Sequence, residues 1–89
     1  MRRRIDMLKI KVLGPGCDNC HRVEEVARAA VSAVGVVAEF EKVTDRADFA
    51  RYNLLATPGL VINEKLVSAG RIPNQVEVMA WVSKALVVA

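Results

Sequence analysis

Apolar and polar residues alternate strictly near the start of the chain. Between Met7 and Leu13, Leu8, Ile10 and Val12 share one face of an extended segment and Lys9 and Lys11 the other, which predicts a half-buried β-strand. Gly14-Pro15-Gly16 breaks it. The period then lengthens. Cys20, Val23, Val26, Ala27, Ala30, Val31 and Val34 recur at helical spacing, with Arg22, Glu25, Arg28 and Ser32 between them, so a helix is predicted over 18–34 with Gly35 as its stop. Alternation returns over 36–43, where Val36, Ala38 and Phe40 oppose Val37, Glu39 and Glu41. Strand, helix and strand at this spacing predict a right-handed parallel βαβ unit. Thr44 or Asp45 can cap a short helix reaching Tyr52. Leu60-Val61-Ile62 and Leu66-Val67-Ser68 read as strands of a hairpin turning at Asn63-Glu64-Lys65. A last helix is predicted from Pro73, with Val76, Met79, Val82 and Leu86 as its buried stripe. The order is β-α-β-α-β-β-α, an α/β chain.

At 89 residues the chain has room for one domain, and 53% hydrophobic residues can supply its core. The expectation is a single domain over 1–89 whose first six residues form a flexible basic terminus, because Arg2, Arg3 and Arg4 carry much of the net charge of +3. The remaining charges are mixed in sign and aromatics are only 4%, so no nucleic-acid stacking surface is expected. Arg3-Arg4 opens like a twin-arginine export signal, but Lys9 and Lys11 interrupt the apolar run such a signal requires. The uncharged stretch Ala29–Ala38 is too short to span a bilayer. A soluble cytoplasmic protein with no membrane partner is expected.

Cys17-Asp18-Asn19-Cys20 is the segment with chemistry, at the junction of the first strand and first helix. Residues three apart at a helix start share a face, close enough for a disulfide. The unpaired N–H groups and partial positive charge of a first turn favour thiolate over thiol, and the thiolate is the nucleophile. Cys17, at the helix entrance, is expected to be exposed and to attack a substrate disulfide; Cys20 opens the apolar stripe and is expected to be buried and to resolve the mixed disulfide. Asp18 opposes ionisation of its neighbour. His21 supports the thiolate as a cation, or shuttles a proton, or is a surface histidine near Glu25.

The sequence resembles the thioredoxin superfamily, most closely its short, glutaredoxin-sized members from archaea and bacteria. The resemblance rests on Gly14-Pro15-Gly16-Cys17-Asp18-Asn19-Cys20, Glu41-Lys42-Val43-Thr44-Asp45, Ala56-Thr57-Pro58 and Val67-Ser68-Ala69-Gly70-Arg71-Ile72-Pro73 in this order. It implies a thioredoxin-like fold, a four-stranded mixed sheet flanked by three helices. It also implies a cis Pro58 facing the cysteines, with the Thr57 backbone pairing with a substrate strand and Gly16 lining the same site. No cofactor is implied beyond a redox-active Cys17–Cys20 disulfide, and no metal. The implied partners are a disulfide-containing protein or small molecule and an upstream thiol reductase, with the chain a monomer or weak dimer. Gly16 stands where thioredoxins carry Trp, and Asp18-Asn19 replaces their Gly-Pro. A single Gly70 replaces the double Gly with which many glutaredoxins hold glutathione.

Two other readings use the same residues. Cys17-Asp-Asn-Cys20-His21 matches the pattern for covalent haem attachment, but it opens a βαβ unit. The second is a soft-metal carrier, since two thiolates suit Cu(I), or zinc with further ligands. Such a carrier has no use for Thr57-Pro58. Trp81 and Val87-Val88-Ala89 are candidates for a dimer contact, with Trp81 otherwise half-buried packing.

Overall fold

The computed structural model describes residues 8–16 and 18–88. Met1–Met7, with the expected basic terminus, and Ala89 lie outside the described residues, as does Cys17. The elements are β1 (Leu8–Leu13), α1 (Asp18–Val34), β2 (Ala38–Val43), α2 (Arg46–Arg51), β3 (Gly59–Ile62), β4 (Lys65–Ala69) and α3 (Gln75–Val88). The strands form one sheet in the order β2-β1-β3-β4. β1 runs parallel to β2 and antiparallel to β3, and β4 is antiparallel to β3, so the sheet is mixed. This is the thioredoxin-like fold.

Alternation along β1 and β3 divides the apolar residues between two faces. Leu8, Ile10, Val12, Leu60 and Ile62 pack against Val23, Ala27, Ala30 and Val31 of α1 and Val78 and Val82 of α3. On the other face Leu13, Val43, Leu54 and Val61 meet Phe49 and Tyr52. That second face is thinly covered, because α2 spans 6 residues and buries none of them.

Several boundaries depart from the sequence reading. β2 starts at Ala38, two residues late, because α1 still holds the intervening chain: Gly35 has φ 84, and the Gly35 and Val36 N–H groups both donate to the Val31 carbonyl. Val37 is 66% exposed. Asp45, rather than Thr44, caps α2, its carboxylate accepting from the Ala47 N–H at 2.9 Å, and Tyr52 is the C-cap beyond the last helical residue. The hairpin turns on Asn63 and Glu64 alone, both at positive φ (49 and 67), with Lys65 already in β4.

Glu64 takes that conformation without being glycine, and its carboxylate is held. It accepts from the Tyr52 hydroxyl at 2.6 Å and pairs with the Lys11 ammonium at 2.9 Å. These contacts hold the Glu64 carboxyl below its usual range and Lys11 well above its own, the Tyr52 hydrogen bond being the larger cause in each case.

α3 shows the largest difference. Pro73 is fully buried and precedes the helix, which begins at Gln75. Asn74 caps it reciprocally: the Asn74 side chain accepts from the Glu77 N–H at 2.8 Å and the Glu77 carboxylate accepts from the Asn74 N–H at 3.0 Å. This start turns Val78 and Val82 into the core and leaves Val76 73% exposed. Met79, Trp81, Ala85 and Leu86 are partly buried against the same core. Among the described residues no helix is long and apolar enough to cross a membrane.

Candidate active site

The site forms where the end of β1 lies beside the start of β3. Leu13 pairs with Gly59, so the residue following β1 and the residue preceding β3 are brought together. Gly14 leaves β1 with its N–H donating to the Val43 carbonyl at 2.9 Å. It is buried between two other residues of the site. A methyl group on its Cα would collide with the Cys20 Sγ, and would lie 3.6 Å from the Cys20 Cβ and 3.9 Å from the Pro58 Cα. Cys20 and Pro58 therefore approach the same glycine from α1 and from the loop before β3.

The loop reverses direction at Gly16, which is exposed and has φ 91, a conformation natural only to glycine. Cys17 follows, outside the described residues. α1 starts at Asp18, which is exposed, as are Asn19 and His21, whereas Cys20 is 6% exposed and belongs to the core facing β1. The Thr57–Pro58 peptide bond is cis. Thr57 is exposed and Pro58 buried. The Pro58 carbonyl accepts from the Gly70 N–H at 2.8 Å, and a Cβ at Gly70 would stand 3.1 Å from the Ala56 Cβ. Gly70, at φ 75, thus braces the loop that carries Thr57 and Pro58.

A cavity of about 20 Å³ adjoins Cys20, lined in part by Gly14, Gly16, His21, Glu24 and Lys42. Glu24 lies one turn along α1 from Cys20. Its carboxylate accepts from the Arg28 Nε at 2.9 Å and pairs with the Lys42 ammonium at 3.4 Å. These cations, Arg28 foremost, hold the Glu24 carboxyl below its usual range. Among the described residues no three His, Cys, Asp or Glu side chains converge as metal ligands would.

Gly14, Gly70, Glu24 and Lys42 were not among the residues singled out from the sequence as site residues. Gly14 reads as a strand breaker because its neighbours in space, Cys20 and Pro58, come from later elements. Glu24 had a local signal in its four-residue spacing from Cys20.

A family model described as "Thioredoxin domain" matches residues 8–83. The chain belongs to the thioredoxin family. Over 72 residues, 81% of its length, it is 39% identical to a thioredoxin of Methanothermobacter thermautotrophicus, of which it covers 94%. Against a thioredoxin of Methanocaldococcus jannaschii the identity is 35% over the same share of the chain and 83% of the relative. Among solved structures it resembles a thioredoxin-2 described as a component of the malaria parasite protein secretion machinery, with TM-score 0.65 and 10% identity over 92% of this chain and 86% of that one. It also resembles the thioredoxin of Fasciola hepatica, with TM-score 0.60 and 20% identity over 88% and 80%. The structural likenesses establish the fold, and the archaeal relatives the class of chemistry. This thioredoxin-family protein is a disulfide oxidoreductase.

Proposed function

We propose that the protein exchanges dithiol for disulfide through Cys17 and Cys20, acting on a disulfide-containing protein or small molecule and recharged by an upstream thiol reductase. Cys17 is the attacking thiolate and Cys20 the resolving thiol. The redox couple is the cysteine pair itself, without a further cofactor. The observation that best supports this reading is the approach of Cys20 and Pro58 to Gly14 at the entrance of α1, with Gly16 and Thr57 exposed beside them. A substrate strand lying on the exposed Thr57 backbone would present its disulfide to the start of α1.

In the forward half-reaction the Cys17 thiolate attacks one substrate sulfur, and the substrate S–S bond breaks. The released sulfur leaves with the electron pair. The Cys20 sulfur then attacks Cys17, the mixed disulfide breaks, and the second substrate sulfur leaves. Helix α1, with 17 residues, supplies a first turn whose N–H groups and dipole favour the attacking thiolate, partly offset by the Asp18 carboxylate.

Cys20→Ser is the test. With the resolving thiol removed, incubation with an oxidised substrate is expected to leave a stable mixed disulfide on Cys17, detectable by mass as protein plus one substrate chain. Absence of any adduct on Cys17 across protein and small-molecule disulfides would overturn the assignment.

A further inference from the structure

A second concave surface lies away from the cysteine loop. α3 packs chiefly against α1, with β3 beneath it. Between α3 and the edge strand β4 a groove of about 480 Å³ stays open. Val67 of β4 and Trp81 and Ala85 of α3 give it an apolar lining, and each is partly buried against the main core. Lys65 enters the groove from β4 and Lys84 from α3, and both are exposed. Among the described residues no acid lines the groove, and neither lysine pairs with a carboxylate. Glu64, next to Lys65 in the chain, is committed to Tyr52 and Lys11.

We propose that this groove docks an acidic amphipathic helix of a protein partner. Apolar side chains of that helix cover Trp81 and Val67, and carboxylates on either side of them pair with Lys65 and Lys84. The groove lies at the Ile62 end of β3 and the cysteine loop at the Gly59 end, about 10 Å apart along the strand. A partner held in the groove therefore leaves the loop of Thr57 and Pro58 uncovered. The proposal does not depend on the roles of the cysteines.

The lining selects the occupant. A small molecule binds where most of its surface is buried, and an open groove leaves it wet. An added strand is opposed by the edge itself. The β3–β4 register shifts between Leu60 and Val61, and Lys65 opens the edge strand. A second copy docked groove to groove would set lysines against lysines. The start of this chain, with Arg2, Arg3 and Arg4, has the same wrong sign. A helix laid beside α3 meets none of these obstacles. Its apolar stripe faces the indole, and acids flanking that stripe reach cations on both walls. Opposite charge also speeds the encounter and rejects basic partners.

The probe is a helical peptide of about 15 residues with a leucine stripe flanked by glutamates. Its counterpart carries lysines in place of the glutamates. Titration calorimetry is expected to show saturable binding of the acidic peptide that weakens as salt rises, with amide NMR shifts confined to β4, α3 and the hairpin turn. Lys65→Glu/Lys84→Glu is expected to weaken binding by about tenfold or more, and Arg46→Glu, a reversal on α2, to leave it unchanged. Lys65→Gln/Lys84→Gln is expected to act in the same direction with a smaller loss. Neither lysine makes an ion pair among the described residues, so these variants are expected to keep the fold, which circular dichroism checks. No binding at millimolar peptide, equal binding of the two peptides, or shifts centred on Gly14, Thr57 and Pro58 would overturn the proposal. So would a groove filled by a second copy, seen in sedimentation as a dimer that excludes the peptide, or by octanoate where the peptide fails to bind.

Discussion

Gly14 carries no side chain, and the site is built around that fact. A methyl group there would collide with the Cys20 sulfur and press towards the Pro58 backbone. The sulfur can turn about its own Cα–Cβ bond, so Gly14→Ala is expected to displace the Cys20 Sγ before it displaces the backbone. Overpacking of this kind typically costs about 1–3 kcal/mol. With Cys20 in the resolving role proposed above, the expected outcome is exchange slowed far more than the modest loss of stability accounts for, measured by exchange kinetics beside denaturant unfolding. Much at this scale is legible in the sequence. The exposure of Asp18 and the burial of Cys20 follow from their places at the start of an amphipathic helix. The proximity of Gly14 to Pro58 is not legible, because it joins residues far apart along the chain through strand pairing that no local pattern encodes.

Among the elements, α3 shows how a cap sets the phase of a helix. Most of its interior is apolar, so periodicity alone does not choose which face is buried, and Val76 and Val78 are equally suitable by composition. The reciprocal Asn74–Glu77 bonds fix the first turn, and Val78 goes inward. An Asn followed three residues later by Glu is a readable start signal, outweighed in the sequence reading by Pro73. The Glu77 carboxylate also accepts from the two terminal guanidinium nitrogens of Arg71, at 3.0 and 2.8 Å. Arg71 foremost, then the Asn74 backbone, pushes the Glu77 carboxyl down from 4.5 to about 2. A carboxyl lowered in the folded state stabilises the fold above its unfolded value and ceases to do so as acid protonates it. Wild type is therefore expected to be more stable than Glu77→Gln above about pH 4.5, with the difference shrinking as the pH falls towards 2 and vanishing only below it. Paired unfolding curves across that range test the sign.

Across the whole molecule, the two faces of the sheet are unequally protected. α1 and α3 cover one with the larger core, and α2 with its flanking loop covers the other. The sequence shows the layers but not this imbalance, since the second cluster draws Leu54 and Tyr52 from positions outside any helix or strand. Local opening is expected to begin where apolar burial is least. Tyr52 bridges Lys11 of β1 and Glu64 of the hairpin turn, so its hydroxyl fastens that face from α2 to the sheet. Tyr52→Phe is expected to speed amide hydrogen exchange across residues 46–54 while the exchange of β1 and α1 remains that of wild type. Uniform acceleration throughout the chain would show that the bridge supports global rather than local stability.

Trp81 is the one tryptophan of the chain. It sits half-buried on α3 and lines an open pocket together with Ile62 and Asn63, at the opposite end of β3 from Pro58, and Gly16 occupies the position before Cys17. Its indole emission is therefore expected to follow the packing of α3 against the core and not the state of Cys20. Intrinsic fluorescence is expected to record whether the protein is folded, while exchange at the proposed cysteine pair calls for an external probe.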